Sequence, residues 1–187
     1  MHSAASTSWV ANAGVVHTAK PFWQIPPDEW RDVIDVNLTG TWNTISAAVP
    51  AMIAGGVGGS IVVTSSAAAL RGASGISAYV AAKSGLHGLM ASMSRELARF
   101  GIRVNVVAPT TVDTPMVMQP SYLRTFRTDL DDVGREDVAP MFQRMHLLAK
   151  PWVEARDVTN SVLFLLSEMA GALTGHVLSV DLGASLK

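Results

Sequence analysis

Apolar positions along this chain follow two rhythms: short β-branched runs, and longer stretches with helical spacing. Ser60-Ile61-Val62-Val63-Thr64-Ser65-Ser66 is a compact β-branched run, the pattern of a parallel strand buried on both faces. Residues 102–108 repeat the pattern, residues 176–180 predict a final strand, and residues 9–11 read as the end of a first one. Between these runs, residues 28–54 predict one long helix, introduced by Pro26-Pro27 and released at Gly55-Gly56. Pro50 is expected to bend that helix or end its regular part. Residues 67–75 read as a glycine-bearing loop, and residues 78–100 as a helix stopped at Gly101. Residues 156–168 predict the last helix, started after Pro151 with Asp157 near its amino end. Strand and helix in alternation predict an α/β fold with a parallel, doubly wound sheet and right-handed crossovers. No repeat, low-complexity tract or linker divides the chain, so residues 1–187 read as a single domain.

One stretch breaks the alternation. Residues 112–152 form an insertion in which Tyr122, Phe126, Met141, Phe142, Met145, Leu147 and Trp152 recur between charged residues. That spacing predicts short helices with one apolar face, suited to a lid. Tyr122, Phe126 and Met145 are its candidate substrate contacts, and an apolar substrate is the expectation.

Composition narrows the function classes. Among 187 residues, 49% are hydrophobic and the formal net charge is -1. That supports one substantial core and gives no electrostatic case for nucleic acid. There is no cysteine, which removes disulfides, thiol nucleophiles and cysteine-metal sites and fits a reducing compartment. The histidines show no metal-ligand spacing, so no metal is expected. No apolar run is long enough to span a bilayer, and residues 1–9 lack the charged and hydrophobic regions of a signal peptide. A cytoplasmic protein with no membrane partner is the default.

Candidate chemistry sits between the second strand and its helix. Tyr79 and Lys83 are four residues apart, and Ser66 stands thirteen residues before Tyr79. A phenol titrates near ~10 and an amine near ~10.4, so neither does acid–base work easily at neutral pH. An ammonium on the same helical face is expected to pull the phenol down towards the operating range. Ser66, at the carboxyl end of a strand, can hydrogen-bond a substrate carbonyl oxygen. Ser65 is the competing hydroxyl, and the thirteen-residue interval favours Ser66. Open α/β sheets bind ligands at that edge.

An ordered set of motifs resembles the short-chain dehydrogenase/reductase family. Asn12-Ala13-Gly14 resembles the segment after the fourth strand that walls the cofactor site. Asn37, in Asp35-Val36-Asn37-Leu38-Thr39-Gly40, resembles the helix asparagine of the catalytic tetrad, with Ser66, Tyr79 and Lys83 as the other members. Pro109, Thr110, Val112 and Thr114 resemble the segment after the sixth strand that contacts the nicotinamide carboxamide. Residues 174–181 resemble the last strand. The likeness runs from about Val10 to the end and implies a Rossmann-like sheet, NAD or NADP as cofactor, and a small apolar alcohol or ketone as substrate. It further implies that Tyr79 exchanges a proton with the substrate and that Lys83 holds the nicotinamide ribose. Asn37 would hold a water in the proton relay, and the chain would form a tetramer or dimer. Within the family, residues 109–116, 122–130 and 151–154 resemble carveol-dehydrogenase-type reductases, a subgroup associated with the redox cofactor mycofactocin.

Departures from the pattern count as well. No Gly-x-x-x-Gly-x-Gly precedes Asn12, so the chain reads as the carboxyl-terminal two-thirds of a reductase, truncated at its amino end. Thr110 stands where the family commonly has glycine, and Leu182 interrupts a usual glycine pair. An oxidoreductase of apolar secondary alcohols is the expectation. The alternatives are a non-catalytic fragment serving as an oligomerisation partner through its two long helices, or a 3-oxoacyl-thioester reductase. As it stands, the chain is expected to bind dinucleotide weakly and to self-associate.

Overall fold

The computed structural model describes residues 8–187; the readings made on residues 1–7, including the absence of a signal peptide, lie outside them. Four strands form one parallel sheet in chain order: β1 (Ser8–Ala11), β2 (Gly59–Thr64), β3 (Ile102–Pro109) and β4 (Val177–Val180). The register sets Val10 beside Val62, Val62 beside Asn105, and Val106 beside Val177. Successive side chains point to opposite faces, and both faces are covered. On one side Ala11, Ile61, Val63, Val104 and Val106 pack against Ile45 and Met52 of α2 (Gly40–Gly55) and Leu86 and Met90 of α4 (Ser77–Leu97). On the other, Val62 and Val107 meet Leu165 of α8 (Ala155–Leu166) and Ala170. Three layers result, which is why the strands read as unbroken apolar runs.

The expected helix over residues 28–54 is present but not uniform. It runs as α1 (Pro27–Ile34), a π-helical turn at Asp35–Thr39, and α2. The amide of Gly40 reaches back five residues to the Asp35 carbonyl. The loosened turn frees carbonyls, and side chains claim them: Asn37 Nδ2 donates to Val33 O at 2.8 Å. A polar side chain thus replaces part of the α-helical ladder, a device common at functional sites. Pro50 does not end the helix, which continues to Gly55 and is closed by Gly56 in the left-handed conformation, φ 67°.

Between β2 and α4 the expected loop contains a short helix, α3 (Ala68–Arg71). The insertion folds as α5 (Pro115–Met118), α6 (Pro120–Leu123) and α7 (Arg135–Arg144). Its apolar residues build a core of their own, Leu123, Val133, Val138 and Phe142, with Trp152 packed against it. Arg135 stacks over the Trp152 ring at 4.8 Å. Phe142 and Trp152 are therefore lid structure rather than substrate contacts, and Leu147 is largely exposed. Among the described residues no helix is long and apolar enough to cross a membrane.

Candidate active site

Every element that supplies chemistry arrives at the carboxyl ends of β1, β2 and β3. After β1, Asn12, Ala13 and Gly14 lead into a segment pinned by Asn37. Val15 donates its N–H to Asn37 Oδ1 at 3.2 Å, and Asn37 Nδ2 returns a bond to Val15 O at 2.9 Å. Asn37 is fully buried. With the Val33 bond, both ends of its side-chain amide are engaged by backbone, so the side chain fixes two segments. This bonding of Asn37 follows from the π turn, which the helical periodicity conceals.

Two serines follow β2, and the fold separates their duties. Ser65 is buried and donates its hydroxyl to Lys83 O at 2.9 Å, with His87 Nε2 at 2.9 Å from the same oxygen. Its side chain ties the strand to α4. Ser66 turns the other way and lines a cavity of about 340 Å³ together with Tyr79. The interval argument for Ser66 over Ser65 thus agrees with the geometry.

Tyr79 lies in the first turn of α4, and Lys83 one turn on, its Nζ 5.7 Å from the Tyr79 ring centroid. Lys83 is almost fully buried and donates to Thr64 O at 2.8 Å. Burial lowers its pKa to about 8. Burial also pushes the Tyr79 phenol above its ordinary value; hydrogen bonding with Ser66 pulls it down, and neighbouring Tyr122 adds to the rise. The expected depression of the phenol by Lys83 is thus reversed here. Desolvation is the largest influence on the phenol, as burial disfavours its charged form.

The cavity wall sets apolar side chains, Val16, Ala19, Ile76, Met116, Val117 and Phe126, beside the polar groups of Arg71, Ser74, Thr110, Thr111 and Thr125. Tyr122, Phe126 and Met145, the three lid residues singled out in the sequence, all line it, as does Thr110. Arg71 at the end of α3, and Ala73 and Ser74 from the loop before α4, also line it, and sequence reasoning missed them. The available signal was their place in the short interval joining Ser66 to Tyr79, which must pass the site. Pro109 is buried at the end of β3, Thr110 donates its N–H to Val180 O at 3.3 Å, and Val112 bridges to Val153. Pro109, Val112 and Thr114 border this edge of the sheet without lining the cavity.

Comparison with known proteins agrees with this arrangement. A family model described as "Enoyl-(Acyl carrier protein) reductase" matches residues 7–185. The chain is 48% identical over 177 residues to (-)-trans-carveol dehydrogenase of Rhodococcus erythropolis, covering 95% of this chain and 64% of that one. It belongs to the short-chain dehydrogenase/reductase family. Among solved structures of the family, carveol dehydrogenase from Mycobacterium avium in complex with NAD superposes with a TM-score of 0.95 and 47% identity, over 96% of this chain and 65% of that one. Cyclohexanol dehydrogenase of an Acinetobacter species is 36% identical over 170 residues, 91% of this chain and 60% of its own length. The chain thus spans somewhat less than two-thirds of the length of these family members.

The residues present suit a nicotinamide nucleotide at this edge. A Cβ on Gly14 would come within 2.7 Å of Asn37 Oδ1 and 3.3 Å of Lys83 Nζ, so the backbone passes close to the lysine with no side chain in between. Among the described residues Lys83 has one hydrogen-bond acceptor, Thr64 O, and an ammonium has three donors. The remaining donors match vicinal ribose hydroxyls. For a metal there is no comparable set: among the described residues no group of three or more His, Asp or Glu is placed to hold one.

Proposed function

We propose that this chain carries the active site of an NAD-dependent dehydrogenase that interconverts apolar cyclic secondary alcohols and their ketones. The observation that carries the reading is the convergence of Ser66 and Tyr79 on one cavity, with a buried lysine beneath the tyrosine ring. NAD, when bound, accepts hydride from the carbinol carbon or returns it in reduction. Gly14, Asn12 and Ala13 wall its place, Lys83 holds the ribose hydroxyls, and Thr110 with its neighbours Val112 and Thr114 borders the nicotinamide end.

The residues of the chain manage the proton. In ketone reduction the neutral phenol of Tyr79 donates to the carbonyl oxygen, and its raised pKa keeps it protonated at neutral pH. In alcohol oxidation Tyr79 as phenolate takes the hydroxyl proton. Ser66 donates a hydrogen bond to the same substrate oxygen and stabilises charge on it. Ala19, Ile76, Phe126 and Met145 exclude water from the rest of the substrate, which favours cyclic hydrocarbon bodies over polyols. The relatives named for carveol and cyclohexanol, both cyclic alcohols, support that choice. The exposed Trp30 and Trp42 of the α1–α2 region suit a second copy of the chain as partner.

The test is NAD-linked oxidation of a panel of cyclic alcohols and sugars by this chain joined to the amino-terminal nucleotide-binding part of a close family member, in wild-type and Tyr79→Phe forms. Cyclohexanol or carveol should lead the panel. Tyr79→Phe should lower the rate by roughly 10²–10⁴-fold with an unchanged circular dichroism spectrum. Activity that survives in the phenylalanine variant, or a panel led by polyols, would sink the reading.

A further inference from the structure

Thr110 and Leu182, the two departures from the family pattern within the described part, lie far apart in sequence, yet the fold brings both onto one turn. Thr110 follows β3, and its hydroxyl lies 3.1 Å from His146 Nε2. The other ring nitrogen, Nδ1, lies 2.7 Å from Lys150 O. A carbonyl only accepts, so Nδ1 carries a proton, and in the neutral ring Nε2 receives the bond that Thr110 donates. His146 is 3% exposed, and both its nitrogens are occupied.

Leu182 approaches the same turn through its carbonyl, which accepts N–H bonds from Leu147 at 2.9 Å and Leu148 at 3.0 Å. Its φ is 53°, the one positive value at a non-glycine residue among those described. A leucine enters that region only where surrounding contacts hold it. Gly183 follows with φ 81°, and a Cβ there would stand 2.8 Å from the Leu147 side chain. Lys187 then donates to His146 O at 3.2 Å. The turn at residues 146–148 is thus bonded on one side to the end of β3 and on the other to the segment after β4. Met145, immediately before it and at the end of α7, lines the cavity, as Thr110 does.

We propose that Thr110, His146 and the Leu182 carbonyl form a catch that fixes the carboxyl end of the lid helix, and with it Met145, against the cavity. His146 is a positioning residue in this arrangement: it touches no substrate and sets where the lid wall stands. The inference rests on the proposed function only in taking the cavity as the substrate site; the catch itself is a statement about the turn.

Amide hydrogen exchange at Leu147 and Leu148 tests the catch, and the KM for cyclohexanol tests its use. Thr110→Val and His146→Leu should each speed exchange at both amides by roughly fivefold or more, the equivalent of one lost hydrogen bond. Thr110→Ser should retain wild-type protection. The double variant should be no worse than the worse single one, since both remove the same bond. In the enzyme, His146→Leu should raise KM by roughly fivefold and change kcat by less than about twofold, as expected when binding rather than chemistry is disturbed. Unchanged exchange in both single variants would overturn the catch, as would additive effects in the double. Faster exchange with an unmoved KM would overturn its role in substrate fit. Should His146→Leu fail to fold, the contrast between Thr110→Val and Thr110→Ser decides alone. Intact exchange behaviour with no alcohol oxidised by the wild type would count against the proposed function and leave the catch standing.

Discussion

Lys83 shows most sharply how a functional position acts against stability. It is 3% exposed, and burial lowers its pKa from 10.5 to about 8. Its hydrogen bond to Thr64 O offsets only part of the desolvation of an ammonium. Lys83→Met, of similar length and without charge, should therefore gain stability on the order of 1 kcal/mol while abolishing activity, a trade common at active sites. The sign of the pH dependence follows from the same shift. Below pH 8 native and unfolded chains both hold the proton, and the burial penalty is present in full. Between about 8 and 10.5 the unfolded chain still binds a proton that the native protein has released, so this group makes stability rise with pH. Urea unfolding of both proteins at pH 7 and pH 9 checks this. A stability gap that fails to shrink at the higher pH would show that Lys83 is not the strained group proposed.

At the scale of elements, the π turn at Asp35–Thr39 joins fold to site. Asn37 holds Val15 by two hydrogen bonds and Val33 by one, and Val15 follows the glycine that passes the lysine. Asn37→Ala would remove three backbone hydrogen bonds, one of them, to Val33 O, buried. It should lower stability by about 1–3 kcal/mol and loosen residues 14–16 more than the sheet, which amide exchange along the chain would resolve. Uniform loosening would instead mark Asn37 as ordinary packing. This element also marks where sequence reading stopped. The inner strands β2 and β3 were legible because β-branched runs buried on both faces carry their own signal, and Ser66, Tyr79 and Lys83 were legible as a group because one strand–loop–helix unit holds all three. The π turn was not: one residue of slippage hardly disturbs a pattern spread over residues 28–54, and its cause is a contact with Val15 across the fold. The pKa direction of Tyr79 was illegible for the same reason, since it depends on burial in the folded chain and on Tyr122, distant in sequence. Of the lid's aromatic residues, Phe126, singled out in the sequence with Tyr122 and Met145, lines the cavity, whereas Phe142 fills the lid's own core.

For the whole molecule, two surfaces compete to govern self-association. One is the aromatic face of the α1–α2 region, where Trp30 is 42% and Trp42 52% exposed. The other is the outer edge of the sheet. Among the described residues β1 pairs with β2 alone, so its far side presents unpaired N–H and C=O groups beside Trp9 and Val10, 40% and 41% exposed. A bare apolar edge is a template for another strand, and pairing the β1 edge of one copy with the β4 edge of the next is a head-to-tail contact that does not close, unlike a helix face meeting its own copy. The two therefore predict different species: discrete oligomers from the helices, and open-ended aggregates from the edge. The edge should dominate in the 187-residue chain, because backbone pairing needs no matched side chains. Sedimentation velocity should then show a broad distribution for the wild type. Val10→Lys, which places a charge on the edge, should collapse it to a discrete species, and Trp42→Glu alone should leave it broad. Combining the two substitutions should yield monomer. A distribution sharpened by Trp42→Glu and untouched by Val10→Lys would place the association on the helices instead.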